Sequence, residues 1–182
     1  MQTKVKLLTL LCFLSLIACD KEDEAPDTPL TPNFTEVSVT PGTVATVTGN
    51  IEEGGILSDL AWASTSNVAC WVNGEFYEGS HVFYSVDFPQ STVLKVTLQP
   101  NAGDQDINLY GYIQFDGNNL PPVTNVTSCE ASPSTVSAPA MGEEEYIEFN
   151  QAVNRGFTAL IGVAGGRGVT EGDFTLQIEV EN

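Results

Sequence analysis

His81-Val82-Phe83-Tyr84-Ser85-Val86-Asp87-Phe88 is closed by Pro89, and Thr92-Val93-Leu94-Lys95-Val96-Thr97-Leu98 follows, closed by Pro100-Asn101. Both runs are rich in β-branched and aromatic residues, and the second alternates apolar with polar. A period of two, bounded by proline and asparagine, is the pattern of strands and turns. Working outward, the same style recurs at Phe34 to Thr40, ended by Pro41-Gly42, and at Thr43 to Thr48. It returns at Ile107 to Phe115, Glu145 to Phe149, Phe157 to Val163 and Phe174 to Val180. Short strands at regular spacing predict an all-β sandwich or barrel. Leu57 to Ala63 is the one weak helix candidate. Val72-Asn73-Gly74-Glu75 reads as a type I′ hairpin turn, because Asn-Gly tolerates positive φ at both central positions. That turn would set Trp71 opposite Phe76 and Cys70 opposite Tyr77.

The chain of 182 residues carries 24 acids against 6 bases, a formal charge of −18. At 42% apolar and 16% charged residues it is too hydrophobic for general disorder. The acidity excludes a nucleic-acid partner, which needs a Lys/Arg surface to displace counterions from phosphates. It also argues against adhesion to anionic lipid headgroups.

The first residues read as an address. Lys4 and Lys6 precede an apolar run from Leu7 to Ala18, too short to span a bilayer and suited to a signal peptide. Leu16-Ile17-Ala18-Cys19 resembles the lipobox of bacterial lipoproteins, which implies cleavage after residue 18 and lipidation (palmitate among the acyl chains) at Cys19. Several acyl chains on one residue hold a protein stably on a membrane. Asp20-Lys21-Glu22-Asp23-Glu24 resembles the surface-export signal of Bacteroidota lipoproteins, which implies the outer face of the outer membrane. The same run also fits a plain acidic, solvated tether. Asp20 directly after the cysteine would instead favour inner-membrane retention under enterobacteria-like sorting. Pro26, Pro29 and Pro32 favour an extended spacer. The expected organisation is a signal peptide over 1–18, a lipidated, disordered tether over 19–33 and one folded domain over 34–182. That domain keeps 19 acids and 3 bases, a charge of −16.

Two of the four cysteines fall in the address. Cys70 and Cys129 remain, and in an oxidising compartment they predict one disulfide, with two buried free thiols as the rival.

The stretch from Ser80 to Val180 resembles the bacterial pre-peptidase C-terminal domain. Asp104-Gln105-Asp106-Ile107-Asn108-Leu109-Tyr110 resembles its acidic loop entering a "DLY" strand, with Asn108 for Asp. Gly156 to Val163 resembles its "GtYyi-V" strand, with departures at Phe157 and Ala159. Gly172 to Ile178 resembles its closing strand, with Phe for Tyr. The resemblance implies a jelly-roll-like β-sandwich and an accessory module without catalytic residues.

Candidate sites are few. His81 is the one histidine and has no nucleophile motif beside it, so Ser/Cys–His hydrolysis is not expected. Acids are too plentiful for any pair to mark a glycoside hydrolase. Gly165-Gly166-Arg167-Gly168 lacks the Lys-Ser/Thr of a phosphate loop and reads as a plain loop. Asp104, Asp106 and Asn108 alternate like ligands of a hard cation, which makes calcium the candidate metal. They lack the later glycine and glutamate of an EF-hand, and the rival is a turn entering a strand. Glu143, Glu144 and Glu145 form a second acidic group. Trp71, Phe76 and Tyr77 are candidates for stacking on a glycan or peptide, with core packing as the rival. The composite expectation is a non-enzymatic, lipid-anchored envelope module that binds a glycan or a protein. A structural or assembly subunit is the alternative. A binding module needs solvent-facing aromatics or a calcium loop. An enzyme needs convergent acids in a cleft. An assembly subunit needs an apolar patch or an unpaired edge strand.

Overall fold

The computed structural model describes residues 34–65, 70–71, 73–115, 117–132, 141–150 and 155–182. Residues 1–33, where a signal peptide, a tether and a lipidated Cys19 are expected, lie outside the described residues. The strands are β1 (Thr35–Val37), β2 (Val44–Asn50), β3 (Gly55–Ile56), β4 (Ser80–Phe88), β5 (Val93–Pro100), β6 (Ile107–Gln114), β7 (Val126–Ser132), β8 (Glu145–Asn150), β9 (Phe157–Gly165) and β10 (Asp173–Glu181). One short helix, α1 (Trp62–Thr65), and two 3₁₀ turns, Ile51–Glu53 and Gly74–Tyr77, lie between them.

The strands form two sheets, ordered β1-β4-β9-β6-β7 and β2-β10-β5-β8, with β3 also pairing β4. Strip β1 and β3 away and eight strands remain, all joined antiparallel. Their pairs β2–β10, β4–β9, β5–β8 and β6–β7 are those of one long hairpin rolled on itself. This is the jelly roll, and the all-β sandwich expected from the residues is the observed fold. β1 adds one parallel strand beside β4.

The two sheets bury different amounts of themselves, and the sequence pattern follows. In the four-stranded sheet, Leu94, Val96, Leu98, Phe174, Leu176, Ile178 and Val180 point inward, and polar residues alternate outward. The other sheet is covered on both faces, so β6 is buried along its whole length and does not alternate in exposure. Its inner face meets the main core through Ile107, Leu109, Ile113, Ile161 and Val163. Its outer face lies under the 57–77 excursion and Val123, which build a second core with Tyr110, Tyr112 and Leu160. Gly162 is required there: a Cβ at this position would run into the ring of Tyr110, its cross-strand neighbour.

Two local expectations are corrected. The Asn73-Gly74 segment is no hairpin: Asn73 is extended (φ −144°, ψ 116°) and caps the Gly74–Tyr77 turn by accepting from Glu75 N at 3.1 Å. An asparagine side chain that accepts from the amide two residues on favours a cap over a type I′ turn. The helix of the 57–63 region sits at Trp62–Thr65 instead. β7 carries no strand signal in the sequence, because Thr127-Ser128-Cys129-Glu130 lacks large apolar residues and lies at a sheet edge.

Candidate functional site

The aromatic candidates close the outer core. Trp71 is 6% exposed and stacks on Tyr77 at 4.5 Å between ring centroids, while Trp62 and Tyr110 lie T-shaped to it at 5.4 and 5.2 Å. Phe76 and Tyr77 are buried with it. A tryptophan set edge-on and offset among other rings gains packing energy and offers no free face. In this arrangement none of the three presents a ring to a ligand. Cys70 and Cys129 form the expected disulfide, with Cα atoms 5.3 Å apart. It ties the excursion that carries Trp71 to edge strand β7.

His81 is fully buried. Its Nε2 faces the Tyr77 carbonyl at 2.8 Å, and its Nδ1 faces the Tyr110 hydroxyl at 2.9 Å. A carbonyl only accepts, so Nε2 carries the proton and Nδ1 accepts from Tyr110. Burial pushes its pKa down to about 4, so the ring is neutral with both nitrogens committed.

The proposed cation ligands divide. Asp106 and Asn108 come together, with Asn108 Nδ2 donating to Asp106 Oδ1 at 2.9 Å and to the Phe76 carbonyl at 2.8 Å. Asp104 is exposed. Among the described residues no group of three or more His, Cys, Asp or Glu is placed to hold a metal. The Asn108 Oδ1 and Gln105 Oε1 atoms are buried without a partner among the described residues.

Glu145 belongs to the same end of the sandwich and was hidden in the acidic run 143–145. It begins β8 pointing inward, 5% exposed, and accepts from Leu109 N at 2.8 Å. Desolvation, with Asp106 nearby, raises its pKa to about 8. It is therefore largely protonated at neutral pH, which is how a buried carboxyl avoids the cost of an unpaired charge.

The solvent-facing aromatics lie elsewhere. Phe115, just past β6, is 61% exposed. The Arg155 guanidinium sits 5.2 Å from the centre of its ring and 4.7 Å from that of Phe157. Both distances are within cation–π range. Lys95 pairs with Glu181, and Arg167 with Glu75 and Glu78. Among the described residues Arg155 alone of the three bases has no carboxylate partner. Beside this stack opens a cleft of about 480 Å³, lined by Val39, Phe88, Pro89 and Phe157 on its apolar side. Asp87 and Thr158, which hydrogen-bond to each other, supply its polar side. Neither Phe115 nor Arg155 had a sequence signature: one is the end of a strand, the other a lone base in a turn.

No protein-family model matches the chain, and no curated protein sequence is significantly similar to it. Among solved structures it is similar to the pre-peptidase C-terminal domain of a Bacillus anthracis collagenase, at 11% identity and a TM-score of 0.42, over 82% of this chain and 96% of that one. It is similar to PliG of Aeromonas hydrophila, a periplasmic inhibitor of g-type lysozyme, at 11% identity and a TM-score of 0.42, over 82% and 99%. A third is CorA of Methylomicrobium album BG8, a surface-associated copper-binding protein, at 8% identity and a TM-score of 0.44, over 81% and 98%.

Proposed function

We propose that this chain is a non-catalytic binding module of the bacterial cell envelope. In this reading lipid on Cys19 holds it at the outer membrane, facing outward, and it takes a glycan or protein ligand at the Phe115–Arg155–Phe157 end. The observation that carries the reading is the exposed stack at the lip of the cleft. Leaving a phenyl ring in water forfeits roughly 2 kcal/mol of burial, and an arginine above it supplies in-plane donors to whatever covers the ring. The groups a hydrolase would use support the non-catalytic side. His81 has both nitrogens occupied, and Glu145 points into the core rather than into the cleft.

The test is a glycan, peptide and protein binding screen with and without calcium, repeated with Arg155→Ala and Phe115→Ala. Both variants should keep the wild-type melting temperature and lose ligand. The same screen reads out a calcium role for Asp106 and Asn108, since calcium bound only to the native state raises the melting temperature. Ligand binding untouched by both substitutions removes the proposed site. Turnover of any screened substrate removes the non-catalytic reading.

A further inference from the structure

β2 has the composition of an interior strand and the position of an edge. Of the strands longer than two residues, β2, β6 and β9 contain no Asp, Glu, Lys or Arg. β6 and β9 each have hydrogen-bonded neighbours on both sides. β2 has β10 alone. The other edge strands longer than two residues each carry acid: Glu36 on β1, Glu130 on β7, Glu148 on β8. Proteins ordinarily blunt a free edge with charge, proline or a bulge, and β2, Val44-Ala45-Thr46-Val47-Thr48-Gly49-Asn50, has no charge or proline and an unbroken register to β10.

The register shows which groups face outward. Ile51 N donates to Gly172 O, and Asn101 N donates to Asp173 O, each on a registered pair at the end of its ladder. In an antiparallel ladder bonded pairs alternate with non-bonded ones. Even-numbered residues of β10 therefore bond to β2, at Ala45, Val47 and Gly49. The backbone N–H and C=O of Val44, Thr46 and Thr48 point away from β10, and among the described residues they have no partner.

We propose that this edge pairs with β2 of a second copy of the same chain, antiparallel about a two-fold axis through Thr46. A two-fold interface must be self-complementary, and this segment is. Thr46 meets its own copy and Val44 meets Thr48, each pair exchanging two backbone bonds. Threonine across from threonine is a favourable cross-strand pair. The absence of charge on β2 matters most in a domain at −16, because screening at physiological salt confines repulsion to about 8 Å. A charge-free strand is the one edge two such domains can bring together. The dimer joins the two four-stranded sheets into one, and it does not depend on the ligand site at Phe115.

The experiment uses the full chain extracted in mild detergent. A Thr46→Cys substitution places two thiols across a bonded pair, where Cα atoms lie about 5.5 Å apart, within disulfide reach. Mild oxidation should give a covalent dimer on a non-reducing gel. Gln99→Cys, exposed on the middle strand β5, should give none. Adding Thr48→Pro to Thr46→Cys should lower the cross-link roughly tenfold or more, with the melting temperature kept, because the Thr48 N–H serves no bond within the domain. Equal cross-linking at positions 46 and 99, or an undiminished yield with Thr48→Pro, overturns the proposal.

Discussion

Glu145→Gln isolates one buried carboxyl, and its effect on stability has a sign and a pH window. In the folded chain the Glu145 pKa stands at about 8 against an ordinary 4.5. Between these values the native state holds a proton that the unfolded chain has released. Stability therefore falls as pH rises from 4.5 through 8, by about 1.4 kcal/mol per pH unit and about 5 kcal/mol in all. His81 acts in the opposite sense. Its pKa is depressed from 6.5 to about 4, so the unfolded chain binds the extra proton and stability falls as pH drops from 6.5 to 4, by about 3 kcal/mol. The two slopes oppose each other between pH 4.5 and 6.5. From pH 6.5 to 8 Glu145 acts alone of the two, and the wild-type chain should lose about 2 kcal/mol. Glutamine keeps an acceptor for Leu109 N and has no proton to lose. Urea unfolding followed by tryptophan fluorescence at pH 5, 6.5, 8 and 9 reads both proteins. Relative to pH 5, the variant should gain on the wild type by about 2 kcal/mol at pH 6.5 and about 4 kcal/mol at pH 8, with little further gain at pH 9. Parallel curves across that range would refute the assignment of Glu145 as a neutral buried acid.

Two further outcomes test the architecture. Trp71→Ala removes a buried ring from a packed aromatic cluster and should cost about 3–5 kcal/mol in urea unfolding, whereas a loss below about 1 kcal/mol would mean that the outer layer does not depend on it. Replacing Cys70 and Cys129 together by serine frees a loop spanning 59 positions and should cost about 4 kcal/mol in the chain-entropy account; unchanged stability would show that the excursion is held by its aromatics alone.

What could be read from the residues was the part governed by local periodicity. The 81–88 and 92–98 runs specify strands because β-branched and aromatic composition agrees with the closing prolines, and the second run alternates as well. β7 escaped because an edge strand closed by a disulfide can do without large side chains. The site was less legible for a different reason. Trp71, Phe76 and Tyr77 form an aromatic cluster in sequence, but whether such rings face water depends on what folds over them, and here the excursion lays them onto β6. Phe115 and Arg155 are 40 positions apart and meet only because β6 and β9 pair. Glu145 looked like one of three equivalent glutamates, and β8 turns just this one inward.

The strand order also constrains when the molecule can form. β10 is last in the chain order yet sits between β2 and β5, so residues 173–181 are the seam of the four-stranded sheet. Until they emerge, β2 has no hydrogen-bonded neighbour in that sheet and β5 has only β8. Pairing over such long sequence separations is slow, since loop closure precedes the contacts that reward it. A nascent chain of this design completes its four-stranded sheet only after residues 173–181 have been made. That timing is compatible with passage through a narrow translocation channel in the unfolded state.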